Sequence, residues 1–349
     1  MNVEEISSGV RFRCRVNRAH FLSPVWYNQL TVAAVEFLTD RIVDTREFDP
    51  SCPISQVRFS VRELTSAERV VAAEYELRMS PVVVEAFGEL DCCGLDEITK
   101  SFDSQDTGMS HEEFVGYSIS SSLNEFCHTY LFLVSVAVWG CLEPSNAATL
   151  GPFGERLEER DLIIGQGLGY DLAKHLTAPL TTPGEIDDFV EWSKDCGGIW
   201  TGLAASNVEK AFSFLANALN VEEDRSEIAR FTWAISALEA LAADSNAEVK
   251  RKLIRRIPNL CTFLPIPNIA KIIGKAYDFR SRLLHGDIAI HSRLQFPHGS
   301  SDLKGSSGLA YDYGMILVTV VMAVLWRCVK EGSHAITFEE TAKFMSRRA

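Results

Sequence analysis

Long apolar runs are scarce in this chain. The two oiliest stretches are YLFLVSVAVWGCL at 130–142 and MILVTVVMAVLW at 315–326. Both fall short of the roughly 18 to 20 apolar residues that cross a bilayer, so they read as buried core segments and no membrane association is expected. The opening residues, MNVEEISSGVRFRC, lack the basic start and apolar continuation of a signal peptide. Positive charge is also short. Lys plus Arg number 34 against 47 Asp plus Glu, a net −13. That excludes a general nucleic-acid coat but not an enzyme that meets RNA through a local basic patch. Paired cysteine spacing is missing too. The nine cysteines are an odd number; Cys92 and Cys93 are adjacent and the rest scattered. No zinc knuckle or disulfide framework fits, so they read as reduced, mostly buried thiols of a cytoplasmic protein. Gly165, Gly167 and Gly169 (GQGLG) have neither the GxGxxG order nor the lysine of a phosphate loop, and read as a turn. His291 and His298, with Asp287 or Asp302, match no standard metal spacing.

What is present is a chain of 349 residues, 46% hydrophobic, long enough for two domains with real cores. The expected class is α+β: a mixed α/β domain over 1–200 and an all-α bundle over 205–349. Residues 10–16 alternate Val10, Phe12, Cys14, Val16 with Arg11, Arg13, Arg15, a strand with one oily and one basic face. The basic face either touches RNA or, the favoured reading, is a solvated face balancing an acidic chain. Residues 29–40 fit strand or helix. Pro50, Cys52 and Pro53 mark a loop. Residues 69–79 and 82–90 read as two antiparallel strands joined at Ser80-Pro81. Residues 98–111 read as a polar loop, with 112–117 entering the next element. Residues 124–141 suit a buried helix or a central strand, and 143–154 a loop. Thr182, Pro183 and Glu185 open a helix with a cap, an N1 proline and early negative charge. A break at 195–198 marks the domain boundary.

In the second half, Val208, Ala211, Phe212, Leu215 and Leu219 fall at helical spacing. A helix capped by Asp224 or Ser226 runs to about Ala243. A basic helix with Lys250, Arg251, Lys252, Arg255 and Arg256 follows, ending near Pro258. After a proline-bounded loop at 263–267 comes KIIGKAYDFRSRLLHGD, 271–287. A polar stretch at 288–308, a long apolar helix at 309–330 and a short last helix at 338–346 complete the bundle.

At 100° per residue, Ile273, Ala276, Tyr277, Leu283 and Leu284 fall within about 60° of Arg280. Arg280 therefore sits in the middle of an apolar face, where a guanidinium is costly unless paired. Ser281 and His285 stack one turn apart beside it, and Gly286 can stop the helix. A plain reading has Arg280 reaching to solvent, His285 capping and Gly286 terminating. Glu239, which leans toward Ile228, Ile235, Ala242 and Ala243 on its own helix, is the expected partner of Arg280.

Tyr277-x-x-Arg280-Ser281-x-x-x-His285-Gly286, preceded by the helix WAISALEALAA carrying Glu239, resembles the signature of the HEPN superfamily, and its Apea-like branch in particular, over about 205–345. The resemblance implies a metal-independent, cofactor-free endoribonuclease. His285 would move protons, Arg280 would hold the scissile phosphate, Ser281 would position that phosphate or orient the histidine, and Glu239 would hold Arg280. It implies a homodimer that pools two motif helices, and a toxic effector of antiphage defence or a toxin–antitoxin pair. The first 200 residues would sense a regulatory protein or phage-derived trigger. Tyr277, Lys252, Arg255, Arg256 and Arg282 are the candidate RNA contacts, the basic helix being equally readable as a solvated face. The rival reading is a non-catalytic module of the same kind that binds RNA or a partner.

Overall fold

The computed structural model describes residues 11–17, 25–71, 81–90, 92–103, 110–150, 156–160, 181–219, 227–243, 248–262, 266–288 and 306–338. Within them the chain is α+β. A six-stranded antiparallel sheet is made of β1 (Arg11–Asn17), β2 (Ile42–Asp44), β3 (Ile54–Glu63), β4 (Val82–Leu90), β5 (Glu143–Leu150) and β6 (Arg156–Arg160), in the order β2-β3-β4-β1-β5-β6. The helices are α1 (Val25–Leu38), α2 (Ser66–Val71), α3 (Cys92–Asp103), α4 (His111–Ala137), α5 (Pro183–Lys194), α6 (Gly197–Thr201), α7 (Asn207–Leu219), α8 (Glu227–Ala242), α9 (Val249–Leu260), α10 (Ile269–Leu284) and α11 (Ser306–Glu331).

β1 alternates as its sequence predicts, with Phe12, Cys14 and Val16 fully buried. Helix α4 lies over that face, packing on β1, β3, β5 and β6. On the other face Arg13 stands opposite Glu85 and donates from Nε to its Oε1 at 3.0 Å. Arg62 forks onto Glu68 at 2.8 and 2.9 Å and reaches Glu85 at 3.1 Å. The charge of Arg13 is thus met by carboxylates within the chain. The hydrogen bond from Arg62 holds the Glu68 carboxyl well below the ordinary range. Burial pushes Glu85 up, but Arg62 and Arg13 outweigh it and leave its carboxyl below the usual value.

Several local expectations change. Residues 29–38 are helical, in α1. Residues 69–71 belong to α2 and not to a strand, and 72–79 lie outside the described residues. A capping box decides it: Glu68 N–H donates to Thr65 Oγ1 at 3.3 Å and Thr65 N–H to Glu68 Oε2 at 2.8 Å, starting a helix despite the β preference of Val70 and Val71. The loop expected from Ile98 begins as helix, since α3 runs to Asp103. The loop expected at 143–154 is β5 as far as Leu150. Pro144, Ser145 and Asn146 have turn chemistry, yet pairing with β1 holds the segment in the sheet. β3 had no sequence-level assignment, and a register shift between Ile54 and Gln56 breaks its alternation.

Helix α4 opens on a Ser110–Glu113 capping box and keeps the helical reading of 124–141 as far as Ala137. Helix α5 starts as read, on a Thr182–Glu185 box with Pro183 at its beginning. Helix α7 buries the predicted five apolar residues. Helix α8 packs between α7 and α11, and α9 pairs with α10. Helix α9 continues through Pro258 to Leu260. Within α11, residues Gly308–Glu331 are long and apolar enough to cross a membrane, more than the 315–326 run conveys, and 67% of the most apolar window is buried in this chain.

The break near 195–200 is the short α6 and a turn at Gly202 (φ 72°). The hydrophobic core continues across it. Phe132 of α4 meets Phe212 of α7 edge-on at 5.1 Å, and Phe189 of α5 meets Trp326 of α11 at 5.1 Å. The glycines at 165–169, the caps Asp224 and Ser226, His291, His298, Asp302 and all of 338–346 except Phe338 lie outside the described residues.

Candidate functional site

Phe279 fixes the rotation of α10. It is 5% exposed, and its ring meets Phe231 of α8 edge-on at 5.2 Å and Tyr313 of α11 at 5.9 Å. Gly274 lets α9 approach, since a Cβ there would lie 3.2 Å from Ile254 Cδ1. Ile273, Ala276 and Leu283 are buried as expected, but Leu284 is 64% exposed. Arg280 therefore stands at the rim of the apolar face and not at its centre. The aromatic ring one residue earlier takes the deeper position.

From that rim Arg280 reaches across to α8. Its Nη1 donates to Glu239 Oε1 at 2.8 Å, with the two side chains 23% and 20% exposed. The guanidinium carbon lies 5.8 Å from the Tyr277 ring centroid. Arg280 Nε is buried and has no acceptor among the described residues. Burial raises the Glu239 carboxyl above its ordinary value, and the charge of Arg280 offsets only part of that. The anticipated Glu239–Arg280 pair is thus formed, 41 residues apart in sequence.

The end of α10 follows from Gly286. It adopts φ 78°, its N–H donates to Leu283 O at 3.3 Å, and Asp287 N–H donates to Arg282 O at 2.8 Å. This is the paired hydrogen-bond pattern of a glycine-terminated helix. Ser281 is half-buried, and its carbonyl accepts the His285 N–H at 3.0 Å. His285 occupies the cap position with its side chain exposed. At 100° per residue it lies about 140° around the helix from Arg280. Its imidazole makes no hydrogen bond or ion pair among the described residues.

Of the expected RNA contacts, Arg282 and Arg255 are exposed, and Lys252 and Tyr277 are half-buried. Arg256 is a correction. It is 4% exposed, donates from Nη1 to the carbonyl of Ala242 and places its guanidinium carbon 4.1 Å from the Phe338 ring centroid. It closes the C-terminal end of α8 and has no surface to offer RNA. Two anchors of α10 went unread in the sequence. Phe279 was visible as the bulky residue beside Arg280; the Lys250–Asp278 ion pair at 2.5 Å carried no signal at its separation. Among the described residues no three His, Cys, Asp or Glu side chains converge to hold a metal ion.

The arrangement offers a clamped guanidinium with one unsatisfied buried N–H, and an exposed imidazole near it in sequence. The first can accept an oxyanion; the second can exchange a proton near neutral pH. Comparison with protein-family profiles, with curated proteins and with solved structures finds no match for this chain.

Proposed function

We propose that the chain is a metal-independent endoribonuclease whose C-terminal helices form a HEPN-like bundle. The observation that carries the reading is the Arg280–Glu239 pair at 2.8 Å, with Arg280 Nε buried and without an acceptor among the described residues. Leaving such a donor without an acceptor costs about 1–3 kcal/mol, which a phosphate oxygen would recover. Glu239 holds the guanidinium in place from one side. His285 then serves as the proton carrier for attack of the RNA 2′-hydroxyl on the neighbouring phosphate, leaving a 2′,3′-cyclic phosphate and a 5′-hydroxyl.

The reaction needs a base and an acid, and one chain supplies one histidine, on another side of α10 from Arg280. A second copy facing the first would supply both, so the active form in this proposal is a homodimer through the C-terminal helices. Its role would be that of a toxic effector in antiphage defence or a toxin–antitoxin pair, with the sheet-containing half responding to a trigger.

The test is expression of wild type, Arg280→Ala and His285→Ala, with folding checked for each. Growth arrest and cyclic-phosphate RNA ends, made by purified protein in EDTA, should appear only with wild type. Equal growth and intact RNA in all three would sink the nuclease. A second reading, a non-catalytic module that binds RNA or a partner, draws on the exposed, unengaged His285 ring. It expects His285→Ala to be silent while Arg280→Ala weakens the fold.

A further inference from the structure

A hollow of about 210 Å³ lies far from Arg280 in sequence, between the 49–53 loop, α4 and α6. Its walls are of two kinds. Phe126 and Trp200 are nearly parallel, 5.4 Å apart. Trp200 is fixed by its indole N–H, which donates to the Ser193 carbonyl at 3.1 Å, and by Phe48 at 4.6 Å. The polar wall is formed by Asp49, Glu125, Ser122 and Thr129, two acidic and two hydroxyl residues. Asp49 Oδ1 accepts the backbone N–H and hydroxyl of Ser51 at 2.9 and 2.6 Å. Among the described residues, no lysine, arginine or histidine lines the hollow. Neither carboxylate has an ion pair among the described residues.

The same chain shows twice how such a wall is used. Lys194 Nζ lies 4.9 Å from the Phe48 ring centroid while pairing with Glu47 and, at 2.7 Å, with Glu191. Arg41 lies 4.8 Å from the Phe37 ring centroid while pairing with Asp187. Each joins an aromatic ring to a carboxylate around an in-chain cation, the arrangement in which ring and charge both attract it. The hollow repeats that chemistry with two carboxylates and two rings, and no side chain of its lining supplies the cation.

We propose that this hollow binds a small organic cation bearing a primary ammonium group. The carboxylates take the charge, the hydroxyl oxygens accept ammonium N–H groups, and the Phe126 and Trp200 rings cover the carbon chain. An occupant would join the 49–53 loop to α6, the segment that leads into the C-terminal helices. The proposal stands apart from the nuclease reading.

Isothermal titration of the full chain with putrescine and with agmatine, at low ionic strength, tests it. One of the two should bind at one per chain. Affinity should fall about tenfold or more in Glu125→Gln and in Asp49→Asn, the size of one lost charge-assisted contact. The diol of putrescine's chain length should give no saturable heat. Glu125 is exposed, so its variant keeps the fold, and thermal unfolding of each variant verifies this. Absence of saturable binding by either amine, or binding unchanged in the Glu125→Gln and Asp49→Asn proteins, overturns the proposal.

Discussion

Glu209 shows how one buried carboxylate organises a turn. It is 8% exposed. Its oxygens accept the N–H groups of Gly198, Ala205 and Ser206 at 2.8, 2.9 and 2.7 Å. Burial pushes its carboxyl up, yet these bonds outweigh that and leave it below the ordinary value. Gly198 has no room for a side chain, since a Cβ would lie 2.8 Å from Ala204 Cα and 2.9 Å from Glu209 Cδ. Glu209→Ala should therefore lower stability in chemical denaturation by about 3 kcal/mol, the cost of several buried donors left unpaired.

Glu239 carries the opposite sign. Its folded-state carboxyl is raised, chiefly by burial. The folded protein therefore holds the proton more tightly than the unfolded one. Stability from this group is present below the ordinary glutamate value and is lost as pH rises through the raised one. At neutral pH, Glu239→Gln should stay within about 1 kcal/mol of wild type, whereas Glu239→Ala, which leaves Arg280 alone, should cost about 2 kcal/mol. Urea titrations at pH 7 separate the two. This pair was legible because both residues lean toward apolar faces of their own helices. The fate of Arg256 was not, because nothing local announces that Ala242 and Phe338 will converge on it.

Among the elements, α4 has an unusual seam. Ser120, Asn124 and Thr149 of β5 are 2%, 1% and 0% exposed, and their side-chain polar atoms have no partner among the described residues. Thr149 pairs with Phe12 in the sheet, and Phe12 faces the ring of His128 on α4 at 5.7 Å, so the seam runs between helix and sheet. Buried hydroxyls without partners are costly. Thr149→Val, which keeps the shape, should raise stability by about 1 kcal/mol, read as a higher denaturation midpoint. At α10 the effect reverses. Gly286 is held at φ 78°, so Gly286→Ala should cost about 1 kcal/mol and loosen the turn beside His285, seen as faster amide exchange there. Helices with a capping signature and a clear stripe were readable, as α5 and α7 show. β5 was not, because its strand character comes from its neighbour β1 and not from its own residues.

For the molecule as a whole, four carboxyls among the described residues, Glu68, Glu85, Glu113 and Glu209, lie below their ordinary values. Each contributes stability above the unfolded-state value and loses it as pH falls through the folded one. Unfolding free energy should hold near neutrality and decline below about pH 4.5. Glu68→Gln should flatten that decline while lowering the neutral plateau, as denaturation at a series of pH values would show. The α+β class and the helical second half were visible in the sequence. The continuity of the core past residue 200 was not, because it depends on contacts such as Phe189 with Trp326 that join distant segments.

Seven of the nine cysteines are free and buried, spread from Cys14 in β1 to Cys328 in α11. Burial pushes Cys196 up to about 12 and Cys261 and Cys328 to about 11, so these stay protonated at neutral pH. An alkylating reagent can reach such sulfurs only when their surroundings part. Mass spectrometry of pulse-alkylated protein would then read seven stopwatches placed along one chain. A common tempo would mean that the sheet and the C-terminal helices come undone together; two tempos would divide them at the residues where each set of sulfurs begins to differ.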